Sequence, residues 1–180
     1  VQDELYIYDV EAFDIDNDIL DYSLVDFPQG MRINQNNGNI TWLPSNKYVG
    51  IHNVTVKVSD DKGFVLQPFA LIVENINDAP IINSTPITKA KVDRTYTYDV
   101  DAYDIDNDLL TYSLIVAPKK MAIDKNSGLI RWKPKGNQIG NNTVVVQVSD
   151  GNLTSKQEFV VFVYKSKEAE SNPPRPLYLY

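Results

Sequence analysis

Ala12-Phe13-Asp14-Ile15-Asp16-Asn17-Asp18-Ile19-Leu20-Asp21-Tyr22-Ser23-Leu24 recurs 90 positions later as Ala102-Tyr103-Asp104-Ile105-Asp106-Asn107-Asp108-Leu109-Leu110-Thr111-Tyr112-Ser113-Leu114. The same spacing carries Tyr8-Asp9-Val10 onto Tyr98-Asp99-Val100, Met31 onto Met121, Gly38 onto Gly128 and Trp42 onto Trp132. It continues with Pro44 onto Pro134, Gly50 onto Gly140 and Val58-Ser59-Asp60 onto Val148-Ser149-Asp150. A register this long without a gap is an internal repeat, so the chain holds two copies of one module.

Within each copy the apolar period is 2. Val54, Val56 and Val58 alternate with Thr55 and Lys57, and Val144, Val146 and Val148 recur at every second position of the other copy. That spacing places one face of a strand on a core. Runs rich in Val, Ile, Tyr and Phe are separated by clusters such as Asn36-Asn37-Gly38 and Asn126-Ser127-Gly128, where Asn and Gly tolerate the left-handed backbone that turns require. No stretch carries a capped helical period. Short strands broken by turns every 8–12 residues, roughly, predict an all-β fold of two tandem Greek-key β-sandwiches.

The expected modules span residues 1–79 and 80–165, followed by 166–180. The junction, Glu74-Asn75-Ile76-Asn77-Asp78-Ala79-Pro80, is polar and closed by a proline that presets an extended backbone, so the linker is expected to be short and stiff. Residues 166–180 are charged and then Pro-rich, and read either as a tail or as the start of a following module. Val1 is not an initiator Met and falls at the edge of a strand pattern. The first strand is therefore expected to be truncated, with a signal peptide upstream.

Composition removes several classes of function. With no Cys there is no thiol nucleophile, disulfide framework or zinc ribbon, and His52, the single histidine, leaves a Ser-His-Asp hydrolase without support. A formal net charge of −7 opposes nucleic-acid binding. No apolar run is long enough for a membrane span, and direct membrane insertion is not expected. The charge is lopsided: residues 1–80 carry 13 acids and 4 bases, residues 81–164 carry 9 acids and 10 bases. Lys119, Lys120, Lys125, Arg131, Lys133 and Lys135 concentrate the positive charge of the second copy. Head-to-tail self-association through opposite charge and an ordinary solvated face are the two readings of that asymmetry.

Four segments carry a family resemblance: Ala12 to Asp18, Leu20 to Leu24, Asn36 to Pro44 and Val56 to Asp60, with their counterparts 90 positions on. Together they resemble the cadherin-like domain of dystroglycan type, also known as an immunoglobulin-like module of microbial surface proteins. The resemblance implies a calcium-dependent sandwich used in tandem outside the cell. It also implies a ligand set made of Asn75, Asn77 and Asp78 in the linker, Asp104 and Asp106 in the following loop, and Asp150 after Val148-Ser149. In the first copy Asp14, Asp16 and Asp60 stand at the equivalent loop positions. The chain departs from the cadherin pattern at Asn46-Lys47-Tyr48, where an acidic Asp-Arg-Glu motif would stand. That departure lowers the expected load to one calcium ion per junction, or none.

The residues themselves allow two readings of these acids. Calcium takes six to eight oxygen ligands, and Asp at i, i+2 and i+4 crowds three carboxylates whose repulsion a divalent cation would relieve. Asp and Asn are also turn formers that hydrogen-bond their own backbone. An EF-hand is excluded in both copies. Its obligatory Gly and Glu are replaced by Ile19 and Val25, or by Leu109 and Ile115.

Trp42 and Trp132 occupy one strand slot in both copies and are expected in the core rather than as sugar-stacking platforms. His52 aligns with Asn142 and is expected to be a variable surface residue. Acceptor patterns for N-glycosylation occur at Asn39, Asn53, Asn83, Asn141 and Asn152. The functional expectation is a non-catalytic, extracellular structural or adhesive module pair of a larger cell-surface or self-assembling protein. Its partners would be other modules of the same protein, a second copy, or a surface glycan or protein. The alternative is an accessory carbohydrate-binding module of a secreted polysaccharide-acting enzyme.

Overall fold

A computed structural model describes residues 1–165; the segment 166–180, read above as a tail or a following module, lies outside the described residues. The chain divides into two compact units, one covering Val1–Asn77 and the other starting at Asp78. Each is all-β, as the period-2 pattern predicts.

Unit 1 contains β1 (Tyr6–Asp9), β2 (Asp21–Asp26), β3 (Arg32–Ile33), β4 (Asn39–Trp42), β5 (Gly50–Ser59) and β6 (Phe64–Val73). They form two three-stranded sheets, ordered β1-β4-β3 and β2-β5-β6, with every pair antiparallel. The core lies between the sheets. Ile40 and Trp42 of β4 meet Val54, Val56 and Val58 of β5, together with Val10, Tyr22, Met31 and Val73. A short 3₁₀ turn, Asn46–Tyr48, links β4 to β5.

Unit 2 repeats this plan and adds to it. Its strands are β7 (Ile81–Ile82), β8 (Lys89–Lys91), β9 (Tyr96–Asp99), β10 (Ala102–Tyr103), β11 (Thr111–Val116), β12 (Ala122–Ile123), β13 (Leu129–Trp132), β14 (Gly140–Ser149) and β15 (Thr154–Tyr164). One sheet is β9-β13-β12, as in unit 1. The other gains a fourth strand, β11-β14-β15-β8, in which β8 runs parallel to β15, and β7 pairs with β10.

The turns follow from residue type. In each unit the strand pair β3–β4 or β12–β13 is joined by a turn that ends at a glycine with positive φ, Gly38 at +72° and Gly128 at +75°. A Cβ would stand 2.8 Å from the Tyr22 ring and the Val10 carbonyl oxygen at Gly38, and 2.4 Å from the Val100 carbonyl oxygen at Gly128. Only glycine fits both the backbone angle and the space. Trp42 and Trp132 are each 2% exposed, which places the repeated indole in the core. His52 corrects its sequence reading. It is half-buried, packs edge-on against Trp42 and Tyr48, and its Nε2 lies 2.5 Å from the Tyr48 carbonyl oxygen, so that nitrogen donates. Asn142 does the same in unit 2, where its Nδ2 donates to the Gln138 carbonyl at 2.9 Å. The two side chains differ in chemistry and share the task of satisfying a turn carbonyl, which the alignment alone does not reveal.

Candidate metal site in the aspartate loops

The loop that opens each repeat is shaped by its first aspartate. Asp14 Oδ1 accepts the backbone N–H groups of Asp16 at 2.8 Å and Asp18 at 3.1 Å; Asp104 Oδ1 accepts those of Asp106 at 2.8 Å and Asp108 at 3.4 Å. Asn17 and Asn107 supply the left-handed corner, with φ of 62° and 66°. Asn tolerates that conformation at small cost, which explains its place between the second and third acids. The turn-former reading therefore holds for one oxygen of the first aspartate. Its other oxygen is the informative one.

In unit 2 Asp104 is only 8% exposed, and its Oδ2 is buried with no hydrogen-bond partner. Carboxylate oxygens of Asp104, Asp106 and Asp108 all lie within 4.8 Å of one another. Asp106 Oδ2 also accepts the backbone N–H of Asp78 at 2.7 Å, which ties the start of the unit to the loop. A buried carboxylate oxygen without a donor is costly, and three acids at this separation repel. A hard cation satisfies both, and the all-oxygen donor set suits calcium.

Asp150 joins none of these acidic groups among the described residues. It caps the tip of the β14–β15 hairpin, where its Oδ1 accepts the N–H groups of Asn152 and Leu153, both at 2.6 Å. Asn75 and Asn77 fall at the end of unit 1, while Asp78 begins unit 2.

Unit 1 assembles two acidic groups, Asp14 with Asp16 and Asp18, and Asp18 with Asp60 and Asp61. Asp60 caps the β5–β6 hairpin through the N–H groups of Lys62 at 2.8 Å and Gly63 at 2.6 Å. Those bonds, that of Gly63 foremost, hold the Asp60 carboxyl below its ordinary range. Lys62 reaches across the loop, its Nζ 2.5 Å from Asp18 Oδ2 and 3.4 Å from Asp16 Oδ2. The bond to Asp18 is the main cause that raises the Lys62 ammonium above its usual pKa.

Asp18, Asp61, Asp108 and Lys62 thus belong to the loops although the proposed ligand set omitted them. Asp18 and Asp108 were signalled by the i+4 spacing itself. Lys62 is 44 positions from Asp18, and only the hairpin brings them together.

Among the glycosylation candidates, Asn53, Asn83, Asn141 and Asn152 are exposed, whereas Asn39 is half-buried in β4 with its amide donating to the Asp9 carboxylate. No helix among the described residues is long and apolar enough to cross a membrane.

One solved structure shares the architecture, and two others are similar more loosely. The EC1-2 fragment of human protocadherin-24 superposes with a TM-score of 0.54 at 17% identity, covering 90% of this chain and 88% of that fragment. An endo-fucoidan hydrolase of glycoside hydrolase family 107 gives a TM-score of 0.46 at 20% identity. That match covers 92% of this chain and only 27% of the hydrolase. The human desmocollin-1 ectodomain gives 0.47 at 17% identity, with 87% of this chain and 32% of that one covered. No curated protein sequence matches the chain. The sequence profile of the family described as "Putative Ig domain" matches residues 1–74 and again 79–164. The chain therefore belongs to that immunoglobulin-like domain family, in two tandem copies.

Proposed function

We propose that this chain is a non-catalytic, extracellular pair of spacing or adhesive modules, and that the Asp104 loop of unit 2 binds calcium. The observation that carries the metal reading is the buried, unpartnered Oδ2 of Asp104 beside Asp106 and Asp108. Asp104, Asp106 and Asp108 would hold the ion, and the ion would offset their mutual repulsion and stiffen the loop between β10 and β11. The spacing role rests on the family membership and on the tandem arrangement of two sandwich units. For carbohydrate binding, both tryptophans that would form stacking platforms are buried.

Thermal unfolding with calcium against chelator tests the metal reading. Extracellular modules bind calcium at roughly 10⁻⁴–10⁻³ M, so millimolar calcium should raise the melting temperature of unit 2. A tenfold excess over Kd contributes about 1.4 kcal/mol, roughly 5 °C or more for a domain of this size. Asp104→Asn keeps the Oδ1 acceptor that shapes the loop and should abolish the shift. An unchanged melting temperature at 10 mM calcium, roughly ten times the weak end of that range, rules the site out.

A further inference from the structure

The two aspartate loops are built alike, and the hairpins that follow β5 and β14 differ in their charged residues. Both first aspartates accept the i+2 and i+4 amides, and both carry Asn at the left-handed corner. The β5–β6 and β14–β15 hairpins are both four-residue turns, capped by Asp60 or Asp150 in the same way. Position 62 is lysine in unit 1, and its counterpart 90 positions later, Asn152, is neutral. In unit 1 the lysine ammonium bridges Asp16 and Asp18, two of the three acids that correspond to the Asp104 cluster.

We propose that Lys62 is a built-in cation that closes the unit 1 loop to divalent metal, so that the two copies of one module have opposite metal behaviour. This rests on the calcium reading of the unit 2 loop. A divalent ion entering unit 1 must displace the ammonium from both carboxylates and then sit beside a like charge tethered to the same hairpin. At separations of a few ångströms that repulsion weakens calcium binding by about tenfold or more, even in a well-solvated setting. Asp61, where unit 2 has Gly151, forms a second acidic group with Asp60 and Asp18, so the latent site has at least as many acids about it as its counterpart. Loss of the lysine charge, by substitution or acylation of its amine, would open it.

Counting calcium ions per chain by equilibrium dialysis at millimolar free calcium tests the proposal, with tryptophan fluorescence confirming that each variant is folded. Wild type should bind one ion, Lys62→Asn two, and Asn152→Lys none. If Lys62→Asn still binds one ion, or wild type already binds two, the role of Lys62 is overturned while the unit 2 site stands. If wild type binds none and Lys62→Asn binds one, the role of Lys62 is supported and the unit 2 reading fails. No ion in either protein overturns both. An Asn152→Lys variant that is folded and retains its ion shows that a lysine at this position does not exclude metal, and counts against the proposal.

Discussion

Units 1 and 2 share a pattern of strand residues and bury them differently. Tyr8 and Phe69 in unit 1 form an edge-to-face pair with centroids 5.6 Å apart, and their counterparts Tyr98 and Phe159 form the same pair at 5.5 Å. Tyr98, Phe159 and Val161 are buried, whereas Tyr8, Phe69 and Leu71 are only half-buried. Residues 81–91 contribute to that burial in unit 2. In unit 2, β8 lies along β15, Tyr98 Oη lies 2.7 Å from Ser84 Oγ, Tyr96 donates its hydroxyl to the Ile87 carbonyl at 2.7 Å, and Gln157 donates to the Ser84 carbonyl. Burial in that setting pushes the Tyr96 phenol far up in pKa. In unit 1 the Gln2 N–H donates to the Glu74 carbonyl as Val92 N–H does to Tyr164, and Asp3 N–H to Pro44 as Asp93 does to Pro134. In unit 2, residues 81–91 thus lie over a strand pattern that closely resembles that of unit 1.

The comparison can be broken most sharply at the ring pair. Phe159→Ala should cost about 3–5 kcal/mol, the usual loss for a buried aromatic, and Phe69→Ala about half of that, because its ring is already partly in water. Single-tryptophan variants, with Trp42 or Trp132 replaced by Phe, let denaturant unfolding report each unit separately. Equal losses in the two units would show that the covering segment adds nothing.

The glycine turns come next in size. Gly128→Ala should cost about 2–4 kcal/mol, combining strain at φ +75° with a Cβ driven onto the Val100 carbonyl. Gly38→Ala should cost somewhat less, since its Cβ would stand 2.8 Å from the matching Val10 carbonyl oxygen rather than 2.4 Å. The ordering is read from the two unfolding midpoints.

The smallest effect is acid sensitivity. Asp124 shapes the β12–β13 turn by accepting the N–H groups of Asn126 and Ser127, both at 2.9 Å, and those bonds, Ser127 first, hold its carboxyl below the ordinary value of 3.8. A carboxyl with a folded pKa below its unfolded one stabilises the fold above the unfolded value and loses that contribution as pH falls through the folded one. Unit 1 makes the same turn with Asn34, whose Oδ1 accepts Asn36 N–H at 2.9 Å and does not titrate. Between pH 5 and pH 2, roughly, Asp124→Asn should flatten the decline of the unit 2 midpoint while leaving unit 1 unaffected.

The module count, the β class and the positions of the turns were legible because they depend on local rules: alternation puts Val54, Val56 and Val58 on one face, and Asn-Gly clusters accept left-handed backbone. The first loop aspartates were legible from spacing, since i+2 and i+4 amides fall within reach of one side chain. Asp150 was only half-legible. A carboxylate at a hairpin tip serves either its own turn or a distant ligand, and the sequence does not say which way it faces.

Sequence by itself therefore determined that the chain is two immunoglobulin-like sandwiches with an acidic loop in each, because strand period, turn chemistry and the repeat are properties of neighbouring residues. Tertiary structure alone decided which oxygen of Asp104 is stranded in the interior, that Lys62 reaches Asp18 across 44 positions, and that residues 81–91 seal one core. These depend on segments far apart in the chain meeting at a stated distance, and no local pattern encodes that distance.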